Sequence, residues 1–105
     1  MPVLLQVDFP TVGPFADEMS VAFKALAESI NLEKGMLWKI WTENSQTQEA
    51  GGIYLFDLEE NAQNYLTMHT ARLQSFGIQN IRSKCFAINL PLSQINHAIF
   101  LNPQA

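Results

Sequence analysis

The stretch MLWKIWTENSQTQEAGGIYLF, residues 36–56, decides the fold. Two runs rich in β-branched and aromatic residues, Met36 to Glu43 and Ala50 to Phe56, flank the polar segment Asn44 to Glu49, the pattern of a β-hairpin. Both faces of this hairpin are apolar. Regular alternation puts Met36, Trp38 and Ile40 on one side with Leu37 and Trp41 on the other, and sets Ile53 and Leu55 against Tyr54 and Phe56. A sheet with two apolar faces needs helices on one side and a second covering layer on the other.

Working outward, Val3, Leu5, Val7 and Phe9 alternate with Gln6 and Asp8 as a first strand, broken by Pro10 and Gly13-Pro14. From Phe15 the apolar spacing becomes helical: Met19, Ala22, Phe23, Leu26, Ala27 and Ile30 recur at three and four. One helix over Pro14 to Asn31 is predicted, with Pro14 in its first turn and Gly35 beyond its end. After the hairpin, Asp57 and Glu60 have capping-box spacing ahead of Ala62, Tyr65, Leu66, His69, Leu73 and Phe76, so a second helix is predicted to end near Gly77. A fourth strand falls within Ile81 to Ile88.

The order strand, helix, strand, strand, helix, strand is that of a ferredoxin-like βαββαβ fold of the α+β class, with an antiparallel sheet and both helices on one face. The uncovered face predicts a homodimer in which two sheets meet. The whole chain, 1–105, is expected to form one domain. Leu92, Ile95, Ile99 and Phe100 make residues 90–105 too apolar for a free tail, and an arm packed on a neighbouring subunit is expected.

Composition narrows the function. Ten acidic and six basic residues give a net charge of -4, and the bases are scattered, which argues against nucleic acid as a partner. The single cysteine, Cys85, allows no intrachain disulfide and reads as a small packed residue. No run approaches the ~20 apolar residues of a membrane span, and Met1 to Leu5 lack the form of a signal peptide, so no membrane association and a cytoplasmic location are expected. No phosphate-cradling glycine loop or metal-ligand spacing is present, and neither cofactor nor metal is expected. Gly51-Gly52 lies within a strand, where a bulge or a close backbone approach is the ordinary explanation.

The blocks Gly13-Pro14-Phe15, Leu26 to Asn31, Leu37-Trp38-Lys39 with Trp41-Thr42-Glu43, Glu49 to Phe56, His69 to Leu73 and Pro91 to Asn96 resemble the signature blocks of the YdhR-like putative mono-oxygenases. That resemblance implies a dimeric α+β barrel, similar in fold to the antibiotic-biosynthesis mono-oxygenases, with a substrate held between the sheet and the helices of each protomer. The reaction it implies is cofactor-independent oxygenation of a small aromatic or quinol-like substrate. Relatives within the wider group degrade haem or bind ligands without catalysis, so a non-catalytic ligand-binding dimer and a haem protein are the alternatives. In the haem degraders a first-strand asparagine accompanies the histidine; Gln6 and Asp8 stand on strand one here.

Within this frame His69 is the candidate catalytic base, because it shares the sheet-facing stripe of helix two with Tyr65 and Leu73. Trp38 and Tyr54 are expected to wall the pocket, with Arg72, Trp41 and Asn31 as further binding candidates. Trp38 is preferred to Trp41 because Lys39 shares the side of Trp41 and would be awkward in a closed pocket.

Overall fold

The computed structural model describes residues 1–98. Strands β1 (Val3–Pro10), β2 (Met36–Asn44), β3 (Glu49–Phe56) and β4 (Arg82–Ala87) form one antiparallel sheet in the order β2-β3-β1-β4. Helices α1 (Ala16–Ala22), α2 (Lys24–Ile30), α3 (Glu59–Ser75) and α4 (Leu90–Ile95) accompany it among the described residues. This is the ferredoxin-like α+β arrangement. Val3, Leu5, Val7, Tyr54 and Phe56 on one sheet face pack with Ile30, Ala62, Tyr65 and Leu73 into the core.

The single helix predicted over Pro14 to Asn31 is two short helices that meet at Phe23 (φ −108°, ψ 13°). The hydrogen bonds Phe23 N–H to Met19 O and Ala27 N–H to Phe23 O, both 2.9 Å, bridge the bend. The bend falls where the Phe23 ring stacks on Trp41, with centroids 6.2 Å apart and planes 18° from parallel. Pro14 precedes the helix rather than opening it, and Phe15 is the extended N-cap residue. With no cap from its own flank, the Ala16 N–H donates instead to the Glu43 carboxylate of β2 at 2.7 Å, placing negative charge at the helix start. The expected Asp57 cap of α3 is also displaced. Leu58 is the N-cap residue, and Asp57 accepts from the Asn61 side chain at 2.8 Å.

The largest correction concerns the phase of β2. Met36 pairs with Phe56 and Trp38 with Leu55, so Leu37 is an extra, unmatched residue. Below this bulge Lys39 pairs with Tyr54 and Trp41 with Gly52. Directly opposed residues share a face, so Lys39 and Trp41 point toward the helices with Tyr54, while Trp38 stands on the outer face with Leu55. Uniform alternation from Met36 predicts the reverse. The bulge lets both Met36 and Trp41 pack against the core.

The outer face carries Ile40 and Phe86, 47% and 44% exposed, beside a polar corner where Arg82 pairs with Asp8 at 2.7 Å. Helix α4 is capped by Asn89, whose side chain accepts from Leu92 N–H, and it buries no residue. Leu92 and Ile95 are exposed; Ile99 and Phe100 of the expected arm lie outside the described residues. Among the described residues, no helix is long and apolar enough to cross a membrane.

Candidate functional site

One half of the space between sheet and helices is hollow, and β3 shows why. Its helix-facing residues run Ala50, Gly52, Tyr54, Phe56, small at one end and large at the other. Gly51 is needed for close backbone approach, since a Cβ there would run into the Val7 carbonyl oxygen. A Cβ on Gly52 would lie 2.5 Å from Lys39 Cε and 3.3 Å from the Tyr54 ring, so the missing side chain makes room for the lysine stem.

The resulting cavity measures about 180 Å³. Its walls come from Val7 and Phe9 of β1, Phe23 and Leu26 of the bent helix pair, Lys39 and Trp41 of β2, Ala50, Gly52 and Tyr54 of β3, and His69 and Leu73 of α3. Thr11, Gly13, Phe76 and Ile78 line both the cavity and an outer depression, which marks its mouth. An apolar cavity of ~150 Å³ holds a benzene molecule, so this one accommodates a single substituted ring.

The polar groups gather around Tyr54, whose ring meets both His69 and Lys39. His69, 3% exposed, stacks on Tyr65 (centroids 5.0 Å apart, planes 22° from parallel) and meets the Tyr54 ring edge-on at 6.4 Å. Arg72 donates to His69 Nδ1 from Nε at 3.3 Å and Nη2 at 3.0 Å. A guanidinium can only donate, so Nδ1 is the accepting nitrogen and a neutral ring carries its proton on Nε2. Burial, then the charges of Lys39 and Arg72, lower the imidazole pKa to about 3. His69 is therefore neutral at pH 7, a hydrogen-bond donor rather than a proton acceptor.

Lys39 is the group that sequence reasoning set aside. Its Nζ lies 3.4 Å from the centroid of the Trp41 ring and 4.7 Å from that of Tyr54. Burial, and secondarily the Arg72 charge, lower its pKa from 10.5 to about 7. The ring faces favour the charged amine and burial opposes it, leaving both forms populated near neutrality. Tyr65 donates its hydroxyl to Tyr54 at 3.0 Å, and burial raises the pKa of both phenols, which stay protonated.

Of the six residues expected at the site, Tyr54, His69 and Trp41 line the cavity. Arg72 does not line the cavity but hydrogen-bonds His69 Nδ1. Trp38 lies on the outer face, and Asn31 is the exposed C-cap of α2. Among the described residues, no three His, Cys, Asp or Glu side chains cluster as metal ligands would.

A four-stranded antiparallel sheet with a cavity under its helices makes this a ferredoxin-like α+β protein. Residues 4–99 match the family model described as "Putative mono-oxygenase ydhR", and the chain belongs to that family. Among solved structures it is similar to a putative antibiotic biosynthesis monooxygenase from Deinococcus radiodurans. The TM-score is 0.55 and the identity 13%, over 85% of this chain and 93% of the other, a likeness of fold. No curated protein matches it.

Proposed function

We propose that the protein is a mono-oxygenase that uses molecular oxygen without a cofactor on a small, single-ring phenol or quinol. The observation that carries this reading is the one-ring cavity lined both by a buried amine of the sheet with a near-neutral pKa and by a neutral histidine of α3. The family supplies the reaction class.

In this mechanism the ring enters between Trp41, Phe23 and Tyr54 with its hydroxyl toward Lys39. The free amine accepts the phenolic proton, and the resulting ammonium with the His69 Nε2–H stabilises the phenolate. The electron-rich phenolate passes one electron to oxygen, and the radical pair recombines with a new carbon–oxygen bond para to the hydroxyl. The Lys39 ammonium returns its proton to the peroxide, and the hydroperoxide of a phenol with a free para position then loses the ring hydrogen at that carbon as its O–O bond breaks, giving a quinone and water. Phenol and oxygen thus balance quinone and water, with no external reductant. Lys39, rather than His69, is the proton acceptor, because the histidine Nδ1 is occupied by Arg72 and its pKa is about 3.

A ligand-binding role without turnover uses the same cavity, whereas a haem macrocycle is poorly served by a one-ring space and by an imidazole already held by arginine. Oxygen consumption over a panel of phenols and quinols is the deciding measurement. Consumption that requires substrate and is lost in Lys39→Met supports oxygenation; saturable binding with no consumption across the panel overturns it.

The same reading places a second copy of the chain against the outer sheet face. Support comes from the exposed Ile40 and Phe86 beside Trp38 on that face and from the exposed Leu92 and Ile95 of α4. Light scattering at micromolar concentration tests this, and a monodisperse 11.8 kDa species contradicts it.

A further inference from the structure

We propose that Lys39 is also a carbonyl-capturing amine, and that the cavity binds small single-ring aromatic aldehydes by forming an imine on Nζ. This goes beyond oxygenation and does not depend on it, since it needs neither oxygen nor turnover.

The geometry carries the inference. A lysine becomes a nucleophile when it is desolvated in an apolar pocket, and Lys39 is buried among apolar and aromatic lining residues, with the Arg72 charge as a lesser influence. Its stem passes over Gly52, which has no side chain to obstruct it, and its amine ends at the faces of Trp41 and Tyr54 inside the cavity. No carboxylate is among the described residues lining the cavity, so no ion pair there holds the amine in its charged form. Flat aromatic walls select a planar ring, and the His69 Nε2–H is a donor for the carbonyl oxygen. The near-neutral pKa of Lys39 agrees with this picture.

The chemistry closes without an oxidant or reductant. Nζ adds to the carbonyl carbon, the carbonyl oxygen leaves as water with the two amine hydrogens, and a C=N bond replaces C=O. His69 helps by polarising the carbonyl, and the unprotonated fraction of Lys39 supplies the electron pair.

The protein provides its own internal control, because Lys24, Lys34 and Lys84 are exposed. The experiment incubates the intact chain under argon at pH 7 with 4-hydroxybenzaldehyde and sodium cyanoborohydride, then maps the reduced adduct by peptide mass spectrometry. Lys39 should be modified at least ~tenfold faster than any other lysine, reflecting its larger free-amine fraction. 4-Methylphenol, which fits the cavity but has no carbonyl, should suppress only that adduct, and Lys39→Arg should abolish it. Equal labelling of all lysines, or a Lys39 adduct indifferent to 4-methylphenol, overturns the proposal. If Lys39→Arg does not fold, the ratio among the lysines of the unaltered chain still decides. Oxygen consumption measured separately distinguishes the two readings: consumption without preferential Lys39 labelling overturns the imine alone, whereas equal labelling with no consumption overturns both.

Discussion

The two halves of the layer between sheet and helices are built from the same strands yet do opposite things. At one end Leu5 and Phe56 pack with Ala62 and Tyr65, all four at 3% exposure or less. At the other, Ala50 and Gly52 leave a gap that Phe23, Trp41 and Lys39 surround without filling. The difference teaches that the site is made by omission: two small residues in β3 open a cavity whose walls are large aromatics. The packed half supplies stability, and the hollow half holds a lysine whose burial opposes it.

The comparison breaks if large side chains cost the same at both ends. Phe56→Ala, in the filled half, should lower unfolding free energy by about 4 kcal/mol, and Trp41→Ala, whose ring borders empty space, by about 2 kcal/mol. Urea unfolding of both variants measures the gap. Equal losses would mean that the cavity wall is as tightly packed as the core.

Lys39→Met sharpens the contrast by separating function from stability. The variant should be more stable than the parent by about 2 kcal/mol at pH 7, because a charge no longer has to be buried. The parent binds fewer protons folded than unfolded between the folded pKa of about 7 and the unfolded 10.5, so its stability rises with pH across that window. The advantage of Lys39→Met should therefore be greatest at or below pH 7 and fade toward pH 10.5. A pH-independent difference would remove burial of charge as its cause.

Gly52→Ala asks whether the omission itself matters. The added methyl meets Lys39 Cε and pushes the amine from its place, so affinity for a phenol should fall about tenfold, or ~1.4 kcal/mol, by calorimetric titration. Stability should change by less than about 1 kcal/mol, since the obstructed atom is in a flexible chain. His69 gives a smaller effect on the acid side. Its folded pKa is depressed to about 3 against 6.5 unfolded, so its contribution to stability is present above pH 6.5 and lost as pH falls toward 3. His69→Gln should show a shallower acid decline in thermal midpoint than the parent.

Much of the fold was legible because it depends on periodicity. The alternation of Val3, Leu5, Val7 and Phe9 and the helical stripe Ala62, Tyr65, His69, Leu73 each point to one surface, and these residues meet as expected. The helix stripe also turned His69 into the pocket. The strand that holds Lys39 was misread, because an unpaired residue leaves no mark in a run where both faces are apolar. Nor does spacing reveal that Arg72 would occupy the histidine nitrogen, which changes His69 from acceptor to donor. The one sequence signal for Lys39 was its placement in an aromatic strand whose hairpin partner carries Gly51 and Gly52, a charge and a gap that explain each other.

The Leu37 bulge has a consequence for insertions and deletions in this gene. Because Leu37 matches no residue of β3, losing its codon would leave Met36 opposite Phe56 and Lys39 opposite Tyr54, so the pocket would survive a shortened chain. Losing one codon between Lys39 and Trp41 would instead turn one of them to the outer face while the other stayed inside. Length variation among related chains should accordingly gather at position 37 and avoid position 40, a pattern that any alignment of such sequences can display.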